Sequence, residues 1–444
     1  SFPNERQFIE CQFFWKFRMK VQDILFEQMY RNNEARLNRL KNNLEREDSE
    51  SEWALCLGAG ISISAGLPDW YGLLAKMTAQ IIPDEMMFEL QNNTRACQLD
   101  ASGYDRTESD PKTDDEAFQV DVQRFFEELN AAGGKTEYLE KLESAQNGKY
   151  KYVFANINVL ESAEYIRNYI AHLLQPENNS KESKETAERN INWHINYFIH
   201  QSCLQSLKYS MDSEKMKKSA LGAAARLLKS DKDSIIHDVI TYNYDNLLEE
   251  YLRTNCRCDA AKIHSVIKND VLPRFGDQGA WNIYHVHGRI PVFECESEPM
   301  SEEVILTESD YYKEERINYS WTNTIQSYIL GRANVIFVGF SGTDYNFRRL
   351  LKYIRQDKSN AHKRYIFFSV DDIVNAVFGN RENIDDSVSE CIKKMNQNDG
   401  SYAYEKLMIN YLIHAQTLYW YKNGMEVIWT SHEELPYNLD RMHL

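Results

Sequence analysis

Four short segments concentrate the residue types that chemistry needs: GAGISISAGLPDW (58–70), TYNYD (241–245), HVHG (285–288) and VGFSGTD (338–344). Glycines in a turn after a strand let backbone N–H groups approach a phosphate, and the helix that follows adds its partial positive charge. A plain tight turn accounts for Gly58-Ala59-Gly60 equally well, because short glycine motifs recur by chance. The fingerprint G-x-G-x-x-G would need Gly or Ala at position 63, where Ile63 stands. No acidic residue follows at a strand end about twenty positions on, as that fingerprint expects for a ribose. Hydride-transferring dehydrogenase chemistry is therefore disfavoured. The two histidines of HVHG, His285 and His287, lie two residues apart at the end of a strand-like run. An imidazole of pKa about 6.5 keeps a neutral form at physiological pH and can act as a general base. Taken alone, each is read more readily as a structural residue. The amide of Asn243 can position a hydroxyl or a water without introducing charge.

Each of these segments follows a strand-like run. WALCLGAG is a short apolar stretch ending in glycines, and DSIIHDVITYNYD, NIYHVHGRI, NVIFVGFSG, YIFFSV and MEVIWTS carry the same character. Helical segments lie between several of them. Strands alternating with helices predict an α/β fold, a Rossmann-like and mostly parallel sheet with helices on both faces. ISISAGLPDWYGLLAKM reads as a helix start interrupted by Pro68. Residues 1–50 form an N-terminal helical arm, with Phe13, Phe17, Val21 and Ile24 and then Leu37, Leu40 and Leu44 at three- and four-residue steps. Residues 51–444 form the main domain. Within it, about 85–230 reads as a helical insertion, with helical periodicity separated by polar segments such as QPENNSKESKETAERN.

Composition narrows the class. With 43% hydrophobic residues the 444-residue chain can bury a large core, which excludes wholesale disorder. Its 51 Lys and Arg against 67 Asp and Glu give a net charge of −16, which argues against a general nucleic-acid or anionic-membrane binder. No run of about 18 apolar residues predicts a spanning helix. SFPNERQF has no basic region followed by an apolar one, which predicts no secretory leader here. The eight cysteines are scattered, and the one close pair, Cys256 and Cys258, has neither zinc spacing nor a second pair beside it. Free thiols, no metal and a cytoplasmic location are the expectations.

In their order, the four motifs resemble the sirtuin family of NAD-using enzymes, and more closely the divergent sirtuin-like domains of prokaryotic anti-phage defence proteins. The resemblance covers roughly 53–80 and 235–350, with MEVIWTS as the closing strand. It implies that Gly58, Ala59, Gly60 and Ser62 surround the NAD pyrophosphate, and that Leu67, Pro68, Asp69 and Trp70 form a loop over the nicotinamide ribose. Core packing is the competing role for Trp70. Asn243 matches the family's catalytic Asn, Asp245 its partner in ordering the ribose pocket, and Thr241 supports the turn. His287 matches the catalytic His, leaving His285 structural. Gly339, Ser341 and Gly342 look like the loop that receives the adenosine side. Asp344 either orients that loop, binds a ribose hydroxyl or caps a helix.

The sequence departs from the deacylating members in one respect. Only Cys295 lies between His287 and Gly339, so the two cysteine pairs of their zinc module are missing. The resemblance then implies an NAD+ glycohydrolase that yields ADP-ribose and nicotinamide and defends by depleting NAD. The competing readings are a protein deacylase or ADP-ribosyl transferase, a non-catalytic NAD or ADP-ribose sensor, and a scaffold with a vestigial site. A homo-oligomer and a HerA-like ATPase partner are also expected. The aromatic residues Phe8, Phe13, Phe14, Trp15 and Phe17 suit either an interface or packing on the chain's own domain.

Overall fold

The computed structural model describes residues 24–45, 52–81, 158–174, 184–204, 207, 210–229, 235–268, 280–293, 303–316, 320–342, 347–349, 351–352, 362–378 and 403–442. Phe8 to Phe17 of the N-terminal arm, all of 85–157 and Asp344 lie outside them.

Seven strands form one sheet: β1 (Trp53–Leu57), β2 (Ile236–Thr241), β3 (Ile263–Val266), β4 (Trp281–His285), β5 (Asn334–Val338), β6 (Arg364–Ser369) and β7 (Glu426–Thr430). Their order is β3-β4-β2-β1-β5-β6-β7, and all six neighbouring pairs are parallel. Without β3 this is the doubly wound order in which the chain works outward from β1 on one side, then crosses to the other at β5. The reversal puts a crevice beyond the C-terminal ends of β1 and β5, where open α/β sheets bind ligands. Both strands are buried at every position, as expected for strands covered on two faces.

Side-chain alternation divides the core. Ala54, Cys56, Val335, Phe337, Ile366, Phe368, Val427 and Trp429 join one apolar cluster. It takes in α5 (Trp321–Arg332), α6 (Val370–Phe378) and α7 (Ala403–Lys422). The intervening residues Leu55, Leu57, Ile336 and Val338 are equally buried and face the opposite layer. There α3 (Ala220–Leu228) packs against α2 (Ala59–Ala65), α4 (Leu247–Thr254) and α8 (Leu435–Asp440).

The sheet edge at β7 is closed by α1 (Ile24–Glu45), whose Leu37, Leu40 and Leu44 are buried. Asn33 donates to the Trp429 carbonyl (2.7 Å) and accepts from the Trp429 amide (3.1 Å), while Arg36 donates to the Val427 carbonyl (2.7 Å). Side chains thereby satisfy an edge that would otherwise offer itself to another strand.

The chain divides into two compact units, one comprising 1–66, 209–289 and 313–444, the other 67–208 and 290–312. The first holds the whole sheet and α1 to α8. In the second, the helices Trp70–Ile81, Val159–Leu173 and Lys184–Ile199 pack together, with Arg167 bridging to Asn192 and Glu188. Ala220–Leu228, inside the segment read as an insertion, packs in the first unit. Between α2 and Trp70 the helix breaks at Gly66, a left-handed cap (φ 113°) whose N–H turns back to the Ile63 carbonyl. No described helix is long and apolar enough to cross a membrane.

Candidate active site

All four motifs start from one row of the sheet. Val338, Leu57, Thr241 and His285 are mutual register partners across β5, β1, β2 and β4, and each is the last residue of its strand. The first residue beyond the strand still bonds to the row. Gly58 N–H donates to the Val338 carbonyl (2.9 Å), Tyr242 N–H to Leu57 (3.0 Å), and Val286 N–H to Thr241 (3.2 Å). Beyond β2 and β4, the second residues past the row are Asn243 and His287.

The glycines hold two turns in backbone contact. A Cβ on Gly58 would lie 2.5 Å from the Gly339 carbonyl oxygen, and one on Gly60 2.9 Å from the Gly339 Cα. Gly339 itself has φ +75°, and a Cβ there would meet the Ile61 nitrogen at 2.7 Å. Gly60 N–H donates to the Gly339 carbonyl (2.9 Å). The amides of Gly58 and Gly60 are thus committed inside the protein, so the glycines serve the packing of the β1 turn on the β5 turn.

Asn243 is fixed by a relay. Its backbone N–H donates to Thr241 Oγ1 (3.1 Å), and its Nδ2 donates to the Gly58 carbonyl (3.1 Å) and to Ser62 Oγ (2.8 Å). Ser62 Oγ passes its proton to Asp245 Oδ2 (2.6 Å), and Asp245 Oδ1 accepts the Leu247 N–H (3.1 Å) at the start of α4. A carbonyl can only accept, so the Gly58 contact determines which way the amide faces. Both Nδ2 protons are used, so Oδ1, which can only accept, is the remaining polar atom of the amide. Burial pushes the Asp245 carboxyl above its ordinary range, against the pull of Ser62 and the Leu247 amide.

His287 and His285 part company at the strand end. Sequence spacing places both in a strand, but β4 stops at His285 and His287 stands in the turn that follows. Gly288, at φ +86°, bends that turn. His287 is buried and meets the edge of the Tyr242 ring (5.2 Å between centroids, 89°). Tyr242 is held in turn by its hydroxyl on Gln326 and by edge contacts with Phe340 and Phe347. His285 Nε2 lies 2.6 Å from Glu249 Oε1, with both side chains enclosed. Burial pushes Glu249 up, but His285 and the Ser265 hydroxyl outweigh it and hold the carboxyl below its ordinary value.

The remaining site residues fall in three places. Gly342 (φ +72°) sits over Trp420, with its carbonyl accepting from Arg348 Nε (2.5 Å), and Ser341 precedes it in the turn after β5. Pro68, Asp69 and Trp70 belong to the second unit, where Asp69 caps a helix through the Gly72 N–H (2.9 Å) and half-buried Trp70 begins it. Ala59 is exposed at the start of α2. Tyr242 lies within TYNYD but carries no assigned role there, and Gln326 and Glu249 lie outside all four motifs. The one local sign is that Glu249 falls in the first turn of the helix that follows Asp245. Among the described residues no three His, Cys, Asp or Glu side chains converge as a metal site, and Cys256 and Cys258 are free thiols.

Comparison with curated proteins gives no match to this chain. Residues 237–390 match the model of the SIR2-like domain. That segment contains Asn243, Asp245, His287, Gly339, Ser341 and Gly342, whereas the Gly58–Ser62 turn that bonds to Asn243 precedes it. On this match and the parallel sheet, the chain carries a sirtuin-like domain of Rossmann-like architecture, similar to a family of NAD-dependent enzymes.

Proposed function

We propose that this chain is an NAD+ glycohydrolase. The observation that carries the reading is the fixed amide of Asn243, whose Nδ2 is committed to Gly58 and Ser62 so that Oδ1 is its acceptor, with His287 at the same level on the neighbouring strand end. In the reaction the bond between the ribose C1′ and the nicotinamide nitrogen breaks, and its electron pair leaves with nicotinamide. Water adds to C1′ and gives up a proton, so NAD+ and water become ADP-ribose, nicotinamide and H+. Asn243 Oδ1 accepts from the attacking water or a ribose hydroxyl, and His287 takes a proton as general base. The sequence supports water as acceptor over an acyl-lysine, since only Cys295 stands where deacylating relatives carry two cysteine pairs. Depletion of NAD in anti-phage defence and control by a HerA-like ATPase rest on the resemblance alone and belong to the same proposal, as does assembly as a homo-oligomer.

The test is incubation of the purified chain with NAD+, with and without an acylated peptide, followed by product analysis. Asn243→Ala and His287→Ala should each lower nicotinamide release by about 10²–10⁴-fold in folded protein. NAD-dependent loss of the acyl group would make it a deacylase. NAD binding with no nicotinamide release would make it a sensor.

A further inference from the structure

His287 is bracketed by two anchors that lead to one carboxylate. Two residues before it, His285 Nε2 lies 2.6 Å from Glu249 Oε1. Two residues after it, Arg289 Nη1 donates to Ser265 Oγ (3.0 Å), and that hydroxyl donates to the same Glu249 oxygen (2.9 Å). Between the anchors sits Gly288 at φ +86°, the residue type that leaves a turn the most conformational freedom. Glu249 is in the first turn of α4, and Asp245 stands just before that helix, accepting the Leu247 N–H (3.1 Å). Asp245 in turn holds Ser62, and Ser62 holds Asn243. The start of α4 therefore carries two carboxylates, one tied to the Asn243 loop and one to the His287 turn.

We propose that Glu249 is a positioning residue of this site, a clamp that sets the His287 turn relative to Asn243 through His285 on one side and Ser265 with Arg289 on the other. Its catalytic consequence rests on the glycohydrolase reading, but its structural consequence does not. Misplacement by about 1 Å can cost about 100-fold in rate, so kcat should fall while KM for NAD+ changes little. The experiment pairs steady-state kinetics with amide hydrogen exchange on the full chain, for wild type, Glu249→Ala, Glu249→Gln and Ser265→Ala. Glu249→Ala should lower kcat by about 10–100-fold. It should also speed exchange across 286–289, with the amides of β1 and β5 unchanged. Glu249→Gln keeps an acceptor oxygen and should recover part of both effects. Ser265→Ala severs only the Arg289 arm and keeps the test available should Glu249→Ala not fold. Faster exchange at 286–289 in a chain that releases no nicotinamide would uphold the clamp and remove the glycohydrolase. Wild-type kcat and exchange in Glu249→Gln and Ser265→Ala together would overturn the clamp.

Helix α7 supports a second proposal, from surface rather than site. One side of it, with Ile409, Ile413 and Trp420, is buried in the core. On the other side Leu407 (68% exposed), Tyr411 (65%), Leu418 (45%) and Tyr421 (69%) face solvent together with His414. The steps 407, 411, 414, 418, 421 are those of a heptad seam. From Leu407 to Tyr421 no Asp, Glu, Lys or Arg interrupts the helix, whereas a solvated face ordinarily carries charge. The four apolar side chains expose roughly 500 Å², more than half of the ~800 Å² that one partner gives to a standard interface.

We infer that this stripe is where a second copy of the chain docks, with α7 antiparallel to its mate about an axis at His414. Leu407 and Tyr421 then lie seven residues on either side of the axis, and each Leu faces a Tyr across a self-complementary, two-fold interface. Light scattering of the full chain should give twice the 52.1 kDa chain mass or a multiple of it. Leu407→Lys with Tyr421→Lys should weaken that assembly by about 100-fold with unchanged circular dichroism. A monomeric wild-type chain, its stripe serving its own segments or another protein, would overturn the assignment. So would an assembly that the two substitutions leave intact.

Discussion

Replacing Asn243 with Asp changes one atom and tests the relay that fixes it. Nδ2 donates to the Gly58 carbonyl at 3.1 Å and to Ser62 Oγ at 2.8 Å, so an ionised carboxylate would set an oxygen against that carbonyl. Ser62 could not compensate, because its one proton already goes to Asp245 at 2.6 Å. Losing the Gly58 bond and burying a charge without a donor should cost about 3 kcal/mol at pH 8. In its protonated form the introduced carboxyl would still donate to Gly58 or Ser62, leaving a cost of about 1 kcal/mol in acid. The sign follows from linkage. The introduced carboxyl has a folded pKa raised above its unfolded value near 3.9, so the added penalty of ionisation is absent below that value and grows as pH rises through the interval. The slope is at most about 1.4 kcal/mol per pH unit, so a change of about 2 kcal/mol needs roughly one and a half units. Paired urea unfolding of wild type, Asn243→Asp and Asn243→Ala from about pH 4.5 to about 8 measures this. The Asp deficit should rise and then level, while the Ala deficit stays flat. An Asp deficit that is flat and equal to that of Ala would refute the orientation of the amide.

The turn contact makes Gly339→Ala costly. With φ +75° and a Cβ only 2.7 Å from the Ile61 nitrogen, it should lose about 2–4 kcal/mol in urea unfolding. Gly331→Ala, in α5 where a Cβ meets no atom within 4 Å, should gain about 0.5–1 kcal/mol, and equal effects would contradict the geometry. Burial raises Asp245, so its ionisation costs stability that is lost as pH rises through the folded pKa. Asp245→Asn should therefore gain on wild type with rising pH, and a gap that widens against the variant would contradict this. Nicotinamide release should persist in strong chelators, since the sequence has no two cysteine pairs at zinc spacing, and a stoichiometric metal in the purified chain would speak against it.

Much of the sheet was legible because its strands are buried on both faces and so read as apolar runs. β1 (WALCL) and β5 (NVIFV) are the plainest, and both are enclosed throughout. β3 was not legible. Its four residues, IHSV, are half-buried at the sheet edge and include His264 and Ser265, so no apolar run marks them. HVHG was legible as a strand but not as a strand end, because alternation carries no sign of where pairing stops. Gly288, which ends it, reads in sequence only as one more motif glycine. The glycines of GAG were legible as a close approach, but the approaching partner is Gly339, 279 residues on from Gly60.

The site was legible wherever its residues keep a fixed offset from a strand end, and illegible wherever they are joined across the sheet. Gly58, Tyr242 and Val286, each the first residue past the row, still spend their amides on the neighbouring strand. The second residue past the row is the first released from the ladder. On β2 and β4 that residue is Asn243 or His287, so TYN and HVH place the two candidate residues at the same offset. Release from the ladder also means that something else must fix these side chains. Ser62, Asp245, Tyr242 with Gln326, and Glu249 supply that fixing, over separations of 36 residues for Glu249 with His285 and 181 for Ser62 with Asn243. No local period encodes contacts of that range. A motif can therefore name the groups that meet a substrate, but the groups that aim them come into view only once the strand ends are aligned.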